Sequence, residues 1–329
     1  MISTYPLNIL VTGANGFVGR ALCESASKLG HQVKAATRTP HDFGAHIQNV
    51  QIASLEDLAY VLPSSLNAEH PSLEGVDTVI HLAARVHVMK ESMSDALGAY
   101  RAMNVAGTLA LAKACAKAGV SRFIYLSSIK VNGESTTLGQ PFFADDVPAP
   151  QDPYGISKWE AELALKDLVK NTSMELVIIR PPLIYGPGVG ANFASMMKVL
   201  SHSIPLPFGA IHNARSLVGL DNLIDLILRC AEHPEAPGQV FLVSDGQDAS
   251  TTELLRKLAR CLGVQPLLLP IPSSWLKAIA QGLGKSAIAT RLLNSLQVDI
   301  AHTCECLEWL PPFTLDQGLE KTVRWYQKK

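Results

Sequence analysis

The sequence predicts an α/β protein: a doubly wound parallel sheet with a smaller mixed α/β lobe toward the C-terminus. Three observations carry this. Short, nearly continuous apolar runs alternate with helix-like stretches through the first half; a glycine-spaced turn follows the first run; and beyond "RPPLIYGPG" the Pro and Gly density rises and the pattern becomes mixed. Strands apolar on both sides, alternating with helices, indicate a parallel sheet covered on both faces. In order, "LNILVTG" (7–13) reads as a strand and 17–29 as a helix. "HQVKAATR" (31–38), "NVQIA" (49–53), "DTVIHLAA" (77–84) and "RFIYLSS" (122–128) read as further strands, with an Ala-rich helix near 95–118. Residues 154–170 read as a helix and "MELVIIRP" (174–181) as a strand. This divides the chain into a main domain, 1–181, and a smaller lobe, 182–329, from which "QVFLVSDG" (239–246) is expected to return to the main sheet. There is no internal repeat.

With 329 residues the chain can hold one large domain or two fused ones. Hydrophobic residues make up 47% and charged residues 17%, the balance of a globular chain. A formal net charge of -1 gives no electrostatic case for nucleic acid or an acidic membrane. No apolar run approaches the roughly 18 residues that span a bilayer, and the start runs almost directly into "NILVTGANG" without leader-like regions. A cytoplasmic protein with no membrane span is therefore expected. Six scattered cysteines form no CxxC pair, and ten histidines show no HxxxH or HExxH spacing, so reduced thiols and no metal are expected. The stretch 273–293 is amphipathic and basic. A core-facing helix is the expected reading, with membrane-surface contact as the alternative.

"VTGANGFVG" places Gly13, Gly16 and Gly19 three apart between a strand and a helix. Such a turn brings backbone N–H groups to a pyrophosphate, and the helix N-terminus adds partial positive charge. A Cβ in the turn would hold the phosphate away. The reading is a Rossmann-type dinucleotide site. An NAD-binding unit usually ends its second strand with Asp or Glu on the ribose 2′-hydroxyl. Here that end reads Ala36-Thr37-Arg38. Arg38 can hold a 2′-phosphate, which favours NADP(H); stacked on adenine instead, it would leave NAD(H) equally open.

"DPYGISKWEAE" (152–162) puts Tyr154 and Lys158 four apart at a helix start, on one face. A phenol with an ordinary pKa of roughly 10 trades protons poorly at neutral pH. A lysine one turn away favours the phenolate and suits general acid–base work on a carbinol or carbonyl oxygen. Upstream, "YLSSIKVNG" ends a strand with Ser127 and Ser128, 26 residues before Tyr154 in the latter case. No GxSxG elbow surrounds them. Ser128 therefore reads as a donor to the oxygen that Tyr154 protonates, and Ser127 as structural.

Together "TGANGFVG", "DTVIHLAA", Asn104 in "NVAGT", "SSIKVNG", "YGISK" and "RPPLIYGPG" resemble the extended short-chain dehydrogenase/reductases, especially the nucleotide-sugar epimerases and dehydratases. The match runs along nearly the whole chain. The resemblance implies a catalytic trio of Ser128, Tyr154 and Lys158. It implies a cofactor site of Gly13, Gly16, Phe17, Val18, Gly19, Thr37, Arg38, Ser54, Leu55, Ala83, Ala84, Asn104 and Pro181 with Tyr154 and Lys158, Asn104 supporting the lysine end through water. Ser54 stands where the family usually has an aspartate near adenine. For the substrate it implies Ser128, Lys130, Asn192 and Phe193 in "GANF", and Arg215 clamping a diphosphate. Dehydratases of the family carry an Asp-Glu pair where this chain has Ile129 and Lys130, so dehydration is disfavoured.

The resulting expectation is an NAD(P)-dependent oxidoreductase acting at C4 of a UDP-sugar. Reduction of a UDP-4-keto-6-deoxy-N-acetylhexosamine for surface polysaccharide comes first, because "SSIKVNGE", "YGISKWEAE" and "HLAARVHVMKE" are similar to that bacterial branch and Arg38 leans toward NADPH. A UDP-glucose or UDP-N-acetylglucosamine type 4-epimerase is the alternative, and a non-catalytic cofactor binder the remote one. A homodimer is expected through the helices near 95–118 and 154–170, where Ala106, Ala110, Ala114 and Ala118 permit close approach.

Overall fold

The computed structural model describes residues 6–39, 41–52, 54–55, 71–86, 96–202, 204–284 and 286–328. In β1 (Asn8–Thr12), Ile9 and Val11 enter one apolar layer and Leu10 another, as successive strand side chains must. The same two-sided burial recurs in β2 (Gln32–Thr37), β4 (Thr78–His81), β5 (Arg122–Leu126) and β6 (Glu175–Arg180), while β3 (Ile47–Gln51) is largely exposed. With β9 (Val240–Leu242) these seven strands form one sheet, ordered β3-β2-β1-β4-β5-β6-β9, every pairing parallel. Helices α1 (Phe17–Lys28) and α6 (Leu220–Glu232) cover one face; α3 (Thr108–Lys117) and α4 (Pro153–Val169) cover the other. The strand order reverses at β1 and β4, which opens a crevice at their C-terminal ends.

The helix expected near 95–118 is interrupted. It comprises α2 (Ala96–Arg101), a π-helical turn over Ala102–Gly107, and α3. Such turns are frequent at functional sites, and this one carries the buried Asn104. A second core holds the smaller lobe together. It joins Tyr185 of β7 (Leu183–Tyr185), Leu217 of β8 (Leu217–Gly219), α5 (Ala191–Ser201), α7 (Thr251–Leu262) and α11 (Leu315–Gln327). β7 and β8 pair as a separate two-stranded sheet, and α10 (Ala301–Leu307) packs on β9.

The stretch 273–293 differs from its expectation. It forms two helices, α8 (Ser273–Gly282) and α9 (Ser286–Leu293), separated at Gly284, whose φ of +65° ends the helical path. No residue of α8 is buried. Both faces of the main sheet are already covered by other helices, so α8 has no sheet face to occupy.

The residue chemistry concentrates on α4. Asp152 caps it, accepting from Gly155 N at 2.7 Å, and Pro153 occupies the first turn, where its missing N–H costs nothing. A Cβ on Gly155 would come within 2.9 Å of the Lys130 carbonyl oxygen, so glycine lets the helix start lie against the turn after β5. Further along, Glu162 is fully buried and receives both arms of the buried Arg180 guanidinium, at 2.9 and 2.6 Å. Ser127 donates to the same carboxylate at 2.5 Å, and Arg180 also donates to Asn132 at 3.0 Å. Removing one partner strands a buried charge. Glu162→Gln is expected to lower unfolding free energy by about 3–5 kcal/mol; an unchanged denaturant midpoint would refute this placement of the pair.

Candidate active site

The crevice begins at the glycine turn. Gly13 has φ +68°, a conformation L side chains rarely adopt, and its Cβ would meet Ala83 N at 2.8 Å. A Cβ on Gly19 would lie 2.3 Å from the Gly13 carbonyl oxygen. The backbone is therefore as close to its neighbours as a phosphate-binding turn requires. Gly16 caps α1 with no side chain, and the first turn holds no acid, so its N–H groups remain directed at the crevice for an anion. These residues fit a dinucleotide pyrophosphate. Phe17 and Val18 start α1, partly buried, and Phe17 packs beside Gly188 of the smaller lobe.

Behind the turn, His81 Nδ1 lies 2.6 Å from Thr12 Oγ1 and its Nε2 lies 2.9 Å from Thr108 Oγ1. Burial, with Lys158 adding to it, pulls His81 down to about 3, so the ring is neutral and ties β1, β4 and α3 together. Ala83 and Ala84 follow β4, partly buried. At the end of β2, Thr37 donates to Asn49 at 3.1 Å and Arg38 is exposed, with no carboxylate at the strand tip. Ser54 and Leu55 are both partly buried, Leu55 facing Gly107 across the π turn.

The trio converges from two elements. Ser128 caps the short turn Ile129–Val131, accepting from Lys130 N at 3.3 Å, directly after β5. Pro181, buried at the end of β6, accepts from Ile129 N at 3.0 Å and fixes that turn. Tyr154 and Lys158 project from the first turns of α4, and the Tyr154 ring meets Tyr100 of α2 edge-on. Burial pushes the Tyr154 phenol up to about 12, opposed by a hydrogen bond with Ser128. Burial pulls Lys158 down to about 7, while Glu162 one turn on works to raise it. Lys158 donates to the Leu126 carbonyl at 2.8 Å and stands over the Tyr125 ring at 4.5 Å. The lowering of the phenol by Lys158, expected from their spacing, is absent from this balance; desolvation dominates both groups.

Other expected site residues sit differently from the sequence reading. Asn104 donates to Arg85 O at 3.1 Å and Ser157 Oγ at 3.0 Å, so its amide ties the loop after β4 to α4. Lys130 is paired with Glu134 and with Asp152, the cap of α4, and so anchors the helix start. Phe193 is 2% exposed and stacks on Tyr185, so its ring fills the core of the smaller lobe. The Asn192 side chain and His87–Glu91 lie outside the described residues. Arg215 is partly buried and donates to Asn294 O at 3.1 Å. Burial alone lowers its pKa, and among the described residues it has no carboxylate at ion-pair distance. Asp152 was open to sequence reasoning as an Asp-Pro helix start; Glu162 with Arg180, 18 residues apart, carried no local signal. Among the described residues no group of His, Cys, Asp and Glu could hold a metal ion, and no helix is long and apolar enough to cross a membrane.

A profile of the NAD dependent epimerase/dehydratase family matches residues 9–244. The chain belongs to that family, and is an enzyme of it. A UDP-glucose 4-epimerase of Vibrio cholerae is 48% identical over 321 residues, which cover 97% of this chain and 95% of the relative. A GDP-6-deoxy-D-mannose reductase of Pseudomonas aeruginosa is 29% identical across 98% of this chain and 97% of its own. The structure of a UDP-glucose 4-epimerase with UDP-glucose from Thermotoga maritima shares the fold, with a TM-score of 0.76 at 22% identity over 98% of this chain and 99% of that one.

The depressed Lys158 makes stability depend on pH. Between about pH 7 and 8.5 an unfolded lysine, near its ordinary 10.5, binds a proton that folded Lys158 has released, so stability rises with pH across this window. In urea denaturation, the wild type is expected to gain about 1–2 kcal/mol relative to Lys158→Met between those pH values. Parallel pH profiles would contradict a buried, largely neutral lysine.

Proposed function

We propose that this enzyme acts at C4 of a UDP-sugar as a 4-epimerase. The supporting observation is the convergence of Ser128, Tyr154 and Lys158 beside the glycine turn in a chain 48% identical to a UDP-glucose 4-epimerase. Gly13, Gly16 and Gly19, with the first N–H groups of α1, hold the cofactor pyrophosphate. Ala83, Ala84, Leu55 and Pro181 wall its cleft. When bound, the nicotinamide supplies and takes up the C4 hydride. Tyr154 takes the proton of the C4 hydroxyl and returns it to the C4 oxygen, which needs its own oxygen within hydrogen-bond reach of that group. Ser128, hydrogen-bonded to Tyr154, donates to the same oxygen. Lys158, one turn from Tyr154 on the same helix, holds the cofactor ribose. Arg215, a partly buried guanidinium that donates to Asn294 O, suits the diphosphate of the substrate.

This reverses the order read from the sequence, where reduction came first. One observation still favours reduction of a 4-keto sugar: the exposed Arg38 in place of the ribose-binding carboxylate, which suits NADP(H) over NAD(H). A homodimer through the outer sides of α3 and α4 is proposed too, since Leu163 is 48% exposed there and Ala106 is exposed beside the π turn. A cytoplasmic location accords with both readings.

The test incubates purified protein with UDP-glucose, UDP-N-acetylglucosamine and a UDP-4-keto-6-deoxy-N-acetylhexosamine, with and without NADPH, beside fluorescence titration of both cofactors. Interconversion of C4 epimers without added cofactor is expected, and Tyr154→Phe should lose at least a hundredfold in rate with cofactor affinity kept. NADPH consumption on the keto sugar alone would establish reduction instead, and tight cofactor binding without turnover of any sugar would defeat both. Sedimentation equilibrium at micromolar concentration is expected to give twice the 35.4 kDa chain mass; the monomer mass would remove the dimer.

A further inference from the structure

The described residues expose fifteen large apolar side chains, and six of them belong to one region of the smaller lobe: Ile204, Leu267, Leu269, Trp275, Ile279 and Leu283. Leu267 and Leu269 flank Leu268, which bridges to Leu206 in parallel, so this short pairing leads straight into α8. On α8 itself, Trp275, Ile279 and Leu283 recur every four residues and share one side, at 67%, 56% and 65% exposure. Leu276 and Ala280 are only partly exposed, and α8 packs against α9. The apolar side is thus left over after the helix has found its packing partner, and it is not a seam of the core.

Charge selects what covers it. Between Glu253 and Asp299 the sequence has no Asp or Glu, and it has six bases: Arg256, Lys257, Arg260, Lys277, Lys285 and Arg291. The chain as a whole carries -1. The stretch that presents Trp, Ile and Leu is therefore one whose own sequence holds bases and no acid, with Lys277 on α8 itself, although Lys257 of α7 is paired with Asp316 of α11. A Trp-bearing apolar helix side in a basic surround matches the interfacial zone of an anionic bilayer, where the indole sits at headgroup level and bases meet lipid phosphate.

We infer that α8 and the stretch before it dock peripherally on an anionic membrane surface. The placement bears on the site, because α9 is tied to the Arg215 segment: Asn213 donates to Leu292 O and Asn294 O, and Arg215 donates to Asn294 O. Docking through α8 holds the substrate lobe beside the headgroups, without any chain crossing the bilayer.

Co-sedimentation of the full-length protein with vesicles tests this, using phosphatidylcholine alone and phosphatidylcholine with about a third phosphatidylglycerol. The expected result is binding to the mixed vesicles, at least fivefold weaker on pure phosphatidylcholine and weakened by salt. Ile279→Ser and Ala278→Glu, both at exposed positions, should each reduce it at least fivefold while leaving the thermal midpoint unchanged. No binding to mixed vesicles, or binding that both variants retain, overturns the inference. A fall in sedimentation mass caused by either variant without lipid also overturns it, and assigns the patch to a second copy of the chain.

Discussion

The ion pair between Arg180 and Glu162 is the constraint on which the site depends. Both groups are out of water, a costly state that is stable only when every polar atom is matched. Here the carboxylate takes two guanidinium arms and the Ser127 hydroxyl, and the guanidinium reaches on to Asn132. Three elements meet at this point: α4, the end of β6 and the turn after β5. Glu162 lies four residues beyond Lys158 and eight beyond Tyr154, so holding its side chain sets the rotation of the helix and the direction in which all three point. The serine beside Ser128 is thus the one that orients the helix.

Around that pair the groups of the crevice share a bias. Tyr154 is pushed up, Lys158 and His81 are pulled down, each chiefly by burial. The pocket thus favours neutral forms of all three. A proton can move between such groups and a substrate oxygen without a large standing charge to be resolvated.

What the sequence made legible is what local spacing encodes. The glycine turn between strand and helix, the four-residue step from Tyr154 to Lys158, and the apolar strands each depend on neighbours within a few residues. The missed features depend on distant ones. The pairing of Lys130 with Asp152 and Glu134, and the stacking of Phe193 on Tyr185, exist only in the fold. Asn104 was found, but its partners Arg85 and Ser157 come from two other segments. The amphipathic pattern of 273–293 shows that one side is apolar and not what that side meets, and on α8 it meets no core.

The strand β9 gives the molecule a property of its own. It pairs with β6 through Ile178, Ile179 and Arg180, after the chain has already left the sheet to build β7, α5, β8 and α6. Immediately beyond it, Asp245 accepts from Tyr185, Gly219 and Asn222, stitching β7, β8 and α6 to the strand's exit. The two lobes are consequently laced and not strung in series. Exchange of substrate lobes between relatives by one crossover near residue 181 would carry off the edge strand that shields β6. Only a transfer with two breakpoints, one on each side of the return, can change what the enzyme recognises without unmaking the sheet that does the chemistry.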